Sequence, residues 1–284
     1  MREAFTTKYL IGEVSRISGV TEKTLRHYGK LGLVEPDEIG DNGYRYYSLE
    51  TMLRIPVIKY LKMMGFSLEE IISIVTCSDI GKIRGMFNAR EKVYHQEELE
   101  LYERMQVIHD WMELIDEANF VRSYPTEEIS VRYLPAEDML AMPYRFKGNY
   151  ADAVINLEFT EFVAKHNNVI SGPVIMRHDC IWGCKVPNCL EVGCPVTILQ
   201  KALRPIDREV HELRPAGMYL CSYHVGDFSA LPYTFDRIMR YAKANNYELE
   251  NRFYERFVLD YWTTFKTDSF VAEILIPLKA KPKE

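Results

Sequence analysis

The chain has 284 residues, 47% of them hydrophobic and 27% charged, which is long enough for one large core or two ordinary ones and too apolar for overall disorder. Thirty-five Lys and Arg against 41 Asp and Glu give a formal charge of −6, so the surface as a whole cannot capture nucleic acid, although a local basic face is allowed. No stretch approaches the ~18 uninterrupted apolar residues of a membrane span, and the first residues lack the apolar run of a signal peptide. The expectation is a cytoplasmic protein whose six cysteines are not a disulfide framework.

Ile11, Val14 and Ile17 recur at helical spacing, Ser18-Gly19-Val20 interrupts them, and Thr21 offers an N-cap to a second helix. On that second helix Lys23, Arg26, His27 and Lys30 form a basic face while Leu25 and Tyr28 point elsewhere, an arrangement suited to a DNA groove. Turns at Pro36-Asp37 and Asp41-Asn42-Gly43 precede Tyr44-Arg45-Tyr46-Tyr47, which reads as a two-stranded wing. Ser48 caps a helix running to about Met64, which Pro56 should kink, and Ser67-Leu68-Glu69-Glu70 is a capping box for another.

From Ile80 a heptad pattern passes through Ile83, Phe87, Arg90, Tyr94, Glu97, Leu101, Arg104, Ile108, Trp111, Ile115 and Ala118, nine of these twelve positions being apolar. A helix of about forty residues spans ~60 Å, so its stripe is expected to pack on another chain, with Arg90, Glu97 and Arg104 fixing register through charge. The alternative is a long helix folded back on its own domain.

Residues 127–278 alternate strand-like and helix-like segments and contain a duplication. Met139-Leu140-Ala141-Met142-Pro143-Tyr144 resembles Met218-Tyr219-Leu220-Cys221-Ser222-Tyr223, Gly148-Asn149-Tyr150 matches Gly226-Asp227-Phe228, and Ala164-Lys165-His166-Asn167-Asn168 matches Ala242-Lys243-Ala244-Asn245-Asn246, at offsets of 79, 78 and 78. Two such halves would set Tyr150 and Phe228 on either side of a central groove, a natural place for a ligand. Near 251–259, alternation puts Phe253, Glu255, Phe257 and Leu259 on one strand face and Tyr254, Arg256 and Val258 on the other. A lone carboxylate on an apolar face either titrates upward, pairs with Arg252 or Arg256, or awaits a cationic ligand, to which aromatic rings at Tyr150, Phe228 and Tyr144 would add attraction. Cys180, Cys184, Cys189 and Cys194 follow C-x3-C-x4-C-x4-C, which is not the paired C-x2-C of zinc ribbons; a thiophilic metal, a redox switch and inert thiols all remain open.

Thr24-Leu25-Arg26-His27-Tyr28, Gly32-Leu33, Gly43-Tyr44-Arg45-Tyr46-Tyr47 and Gly65-Phe66-Ser67-Leu68-Glu69-Glu70-Ile71 stand in the order and spacing of the MerR family of transcription regulators, which the first 76 residues resemble. The resemblance implies a winged helix-turn-helix, an antiparallel coiled-coil homodimer, and activation of promoters whose DNA the effector-bound dimer distorts for RNA polymerase. It departs from the family at Gly29, where a carboxylate is common. Residues 125–280 are similar to the gyrase-inhibitor-like ligand-binding domain of multidrug-sensing branches, on the duplication, on Phe253-Tyr254-Glu255-Arg256 and on Ala272-Glu273-Ile274-Leu275-Ile276-Pro277. That likeness implies an aromatic pocket around one carboxylate, matched here by Glu255.

The reading is therefore an α+β chain. Residues 1–78 form a winged helix-turn-helix domain, 79–120 a dimerisation helix and 121–284 a duplicated βαβ-type effector-binding domain. DNA should meet Thr21, Lys23, Thr24, Arg26, His27, Tyr44, Arg45 and Tyr47, the phosphates through Lys23, Arg45, Tyr44 and Tyr47 and base edges through Thr24, Arg26 or His27. A lipophilic, preferentially cationic effector should meet Glu255, Tyr150, Phe228, Phe253 and Tyr144. The partners expected are promoter DNA, RNA polymerase, the effector and a second copy of the chain, with no cofactor, no membrane and no catalysis. Competing readings are a metal or redox sensor built on Cys180–Cys194 and a small-molecule hydrolase with Glu255 as base.

Overall fold

The structure, a computed structural model, describes residues 7–124, 128–179 and 192–279. They fall into two units, Met1–Glu100 and Leu101–Glu284.

In the first unit β1 (Tyr9–Leu10) runs into α1 (Ile11–Ser18), which ends at Gly19 in the left-handed region (φ 68°). The Thr21 hydroxyl then accepts the Thr24 N–H to open α2 (Glu22–Lys30). β2 (Glu38–Ile39) and β3 (Arg45–Tyr47) make the wing, and β1 pairs with the other edge of β3. The helix expected from Ser48 to Met64 is two helices, α3 (Leu49–Met52) and α4 (Arg54–Met63). The break falls at Leu53, ahead of Pro56, because Pro56 has no N–H to give the Met52 carbonyl and sits instead in the first turn of α4, where N–H groups have no helical partner anyway. Leu25, Val34, Tyr47, Ile55, Ile58 and Ile71 form the centre of the core. Tyr47 is thereby removed from the expected phosphate contacts: β3 turns it inward with 0% of its surface exposed, so it stabilises the wing's root instead.

After α5 (Leu68–Thr76), opened by the Ser67/Glu70 capping box, α6 (Ile80–Ser123) runs for 44 residues, about 66 Å. Arg90 does not serve as a free register charge on this helix. Its guanidinium holds Glu70 at 2.7 and 3.0 Å and lies over the Phe66 ring. One turn on, the Tyr94 hydroxyl donates to the Met64 carbonyl across Gly65, whose φ of 81° and lack of a Cβ permit that approach.

The second unit contains the remainder of α6, then β4 (Ser130–Leu134), β5 (Glu137–Arg145), α7 (Tyr150–Val154), α8 (Leu157–Lys165), β6 (Ile175–His178), β7 (Pro195–Lys201), β8 (His211–Arg214), β9 (Gly217–Val225), α9 (Leu231–Ala244), β10 (Phe253–Leu259) and β11 (Val271–Pro277). Eight antiparallel strands lie in the order β4-β9-β11-β10-β6-β7-β5-β8. Read inward from its two edges this order is symmetric, β9 corresponding to β5 and β10 to β6, so the halves meet at the β10–β6 seam. Local signals repeat with it: Asn149 and Asp227 cap the helical turns beginning at Tyr150 and Phe228, and Asn167 and Asn246 close the later helices at φ 49° and 53°.

One sheet face carries the main core, including Tyr150, Phe159, Phe228, Phe235, Phe253 and Phe257. On the reverse, Leu114, Ala118 and Val121 of α6 pack on Val258, Leu259 and Val271. The end of the long helix is therefore folded on its own domain, and of the expected stripe only Ala118 is fully buried there, with Trp111 packed beside it. Leu101, Met105, Ile108 and Met112, at spacings of four, three and four, remain exposed. A register shift between Phe257 and Leu259 is a bulge that carries Leu259 away from the face of Glu255, where simple alternation put it.

Candidate functional site

In the first unit, Thr21 and Thr24 are tied hydroxyl to hydroxyl at 2.8 Å, which orients the start of α2. Leu25 and Tyr28 anchor the helix in the core, leaving Lys23, Arg26, His27 and Lys30 in solvent. Arg26 rests on Glu22 one turn back at 2.9 Å, an exposed pair that a phosphate or guanine edge can replace at little cost. At the wing, Asn42 accepts the Tyr44 N–H and Tyr44 itself is exposed. A Cβ at Gly29 would stand 3.7 Å from Nη1 of Arg45, so a carboxylate there would pair with Arg45; glycine leaves that guanidinium without an acid from α2.

The second unit places Glu255 at the β10–β6 seam, opposite Ile274 of β11 and Met176 of β6, with 0% exposure. Oε1 accepts from the Tyr150 hydroxyl at 3.2 Å, and Oε2 lies 3.1 Å from Nε2 of His178. The His178 ring stacks on Phe253, centroids 4.3 Å apart and planes 2° from parallel. Tyr150 meets Phe228 at 5.7 Å and Phe257 at 5.9 Å, both edge-on, and Phe228 continues onto Phe270. Burial and the neighbouring Glu255 carboxylate hold the Tyr150 phenol far above its ordinary pKa, so it stays a neutral donor. Removing a carboxylate from water costs several kcal/mol unless a cation or good donors replace the water, on the order of what burial of ions generally demands. Here the Tyr150 hydroxyl donates to one oxygen and His178 lies against the other, while the rings close the space around them.

Neither arginine that could have neutralised Glu255 does so. Arg256 emerges on the reverse of the sheet, where it holds Glu117 and Glu273, and Arg252 pairs with Glu250 at 3.4 Å.

Two family descriptions match the chain: MerR HTH family regulatory protein over residues 9–76 and GyrI-like small molecule binding domain over residues 193–279. The chain joins a MerR-family domain to a GyrI-like domain. A Bacillus subtilis multidrug-efflux transporter 2 regulator is 22% identical over 98% of this chain and 98% of its own length. A mercuric resistance operon regulatory protein of Bacillus cereus is 39% identical over 28% of this chain and 63% of its own. Among solved structures, the EcmrR chain of an EcmrR–DNA complex aligns over 96% of this chain and 100% of its own at 18% identity, with a TM-score of 0.46.

Of the residues read from the sequence for the GyrI-like domain, Glu255, Tyr150, Phe228 and Phe253 are brought into one buried cluster. Tyr144 belongs to the same core, but its hydroxyl is committed to Asp152 of α7, so it braces the helix that carries Tyr150 instead of facing Glu255. Burial, reinforced by Asp152, raises its phenol. His178 was missed as part of this site. The signal was present in Ile175-Met176-Arg177-His178, where period two sets His178 on the face of Met176. Cys180, Cys184 and Cys189 lie outside the described residues; Cys194 is half-buried, has no disulfide partner among the described residues, and accepts the Phe146 N–H at its backbone carbonyl.

Proposed function

We propose that this chain is a ligand-responsive, DNA-binding transcription regulator whose GyrI-like domain takes lipophilic cations at Glu255. The observation that carries the reading is the fully buried Glu255 carboxylate, ringed by Tyr150, Phe228, Phe253 and Phe257 with no arginine or lysine on it among the described residues. A quaternary or delocalised cation would sit against the carboxylate while its apolar body meets ring faces, each worth ~0.5–2 kcal/mol. The site binds; it is not assigned catalysis.

The exposed Leu101-Met105-Ile108-Met112 stripe on α6 supports a homodimer through this helix, and a dimer is what would let two copies of α2 and the wing grip one promoter. In this reading the bound effector changes how the dimer bends promoter DNA for RNA polymerase, a deformation of ~1–6 kcal/mol met by contacts from both copies. Calorimetry of wild type and Glu255→Gln with one lipophilic cation and one neutral aromatic of similar size tests the ligand assignment. The variant should lose at least tenfold in affinity for the cation and change little for the neutral compound; equal losses or none would remove charge recognition from the site.

A further inference from the structure

The reverse of the sheet carries an arrangement that the ligand site does not use. Glu103, Asp110 and Glu117 occur every seventh residue on α6, and each meets a base of the sheet domain: Arg204 at 2.5 Å, Lys201 at 2.8 Å and Arg256 at 2.6 Å. The last pair is different from the others. Arg256 follows Glu255 directly on β10, so the two side chains leave opposite faces of the same strand at its centre. Arg256 holds Glu117 through both nitrogens, 2.6 and 2.7 Å, and reaches Glu273 of β11 at 3.3 Å. Glu273 is buried and also bonded by Arg132 of β4, while the Tyr223 hydroxyl of β9 donates to Glu117 at 2.7 Å. Burial alone would raise the Glu117 carboxyl, but the hydrogen bonds and charge of Arg256, with Tyr223, bring it below the ordinary range, so it is held as an anion. A cavity of about 440 Å³, bordered by Leu114, Glu117, Arg132, Tyr223, Arg256 and Glu273, leaves this network space to rearrange.

We propose that the Arg256–Glu117 pair transmits occupancy of the Glu255 site to the long helix. The proposal rests on the reading of Glu255 as the effector carboxylate. When a cation draws Glu255 from Tyr150 and His178, the β10 backbone that carries it must adjust, and the guanidinium on its other side is displaced with it. A bidentate pair tolerates little displacement, so the hold on Glu117 is loosened or reset and the helix feels the ligand. Arg204 and Lys201 lie outside β10 and would act as passive anchors.

Hydrogen exchange on the full-length protein with and without tetraphenylphosphonium tests this, with calorimetry as the measure of binding. In wild type the ligand should change exchange both at Tyr150–Val154 and over residues 110–121. Glu117→Gln should keep the affinity within about twofold and keep the response at Tyr150–Val154, but lose it over 110–121. Arg256→Lys, which keeps the charge but not the fork, should behave likewise with an intact helix, and Glu103→Gln should respond as wild type does. A helix response that persists in Glu117→Gln and Arg256→Lys, or disappears equally in Glu103→Gln, or is absent from ligand-bound wild type, overturns the relay while leaving the ligand site standing. No calorimetric signal with wild type would instead count against the reading of Glu255, and the relay would fall with it.

Discussion

His178 faces Glu255 across the seam between the two halves of the GyrI-like domain, Nε2 to Oε2 at 3.1 Å, and both side chains are fully buried. Each half therefore supplies one member of the polar pair, β6 the imidazole and β10 the carboxylate, and Tyr150 closes the remaining oxygen.

Tyr150→Phe keeps the ring packing on Phe228 and Phe257 and deletes the donor to Oε1. A buried acceptor left without its partner costs ~1–3 kcal/mol, so the ligand-free variant should unfold at a lower denaturant concentration than wild type. An unchanged midpoint would mean that the 3.2 Å hydrogen bond contributes nothing.

Replacing Arg26 or Arg45 with Ala should weaken promoter DNA binding by at least about tenfold, and the slope of log affinity against log salt should fall by about one for each phosphate that the variant no longer neutralises. Titrations of both variants at several salt concentrations measure this. The same substitution at Tyr47 should act through folding, since its ring lies in the core.

Leu101 and Ile108, 59% and 57% exposed, belong to the apolar stripe left free on α6. Changing both to Glu should yield monomers with wild-type helix content, which light scattering and circular dichroism would report. Persistent dimers would move the interface elsewhere.

Asp260 gives a pH prediction. Burial pushes its carboxyl from the ordinary 3.8 up to about 7, only partly offset by the Trp262 N–H that it accepts. The native state binds this proton more tightly than the unfolded chain, so the stabilisation is complete below about pH 4 and is lost as pH rises through 7, a swing of roughly 4 kcal/mol. Asp260→Asn can keep the acceptor without the charge. It should melt above wild type at pH 8 and close to it at about pH 4; a constant difference across that range would refute the assignment.

The winged helix-turn-helix was legible because its residues are local: a cap at Thr21, a turn at Gly43 and a capping box at Ser67 each state their geometry within a few positions. The strand β1 was not, since two residues carry no period. In the second unit the duplicated turns announced the two halves and brought Tyr150 and Phe228 together. The bulge that turns Leu259 away leaves no mark in composition, and His178 escaped notice because its partner stands 77 residues away in sequence. The heptad on α6 was legible only in part, for a different reason. One helix serves two surfaces there, so Leu114, Ala118 and Val121 follow the sheet while Leu101, Met105 and Ile108 follow solvent.

The acids at 103, 110 and 117 key α6 to its domain like teeth on a spindle. At 100° per residue, seven residues fall ~20° short of two turns, so the row of teeth winds only ~40° over its length and can face one surface throughout. A slip of a single residue would swing every tooth by ~100° and disengage all three together. The bearing of Leu101, Met105, Ile108 and Met112 is thus dictated from the hidden side of the helix. A second copy meeting that edge would find its angle of approach already set by Arg204, Lys201 and Arg256, which hold the opposite side of the helix.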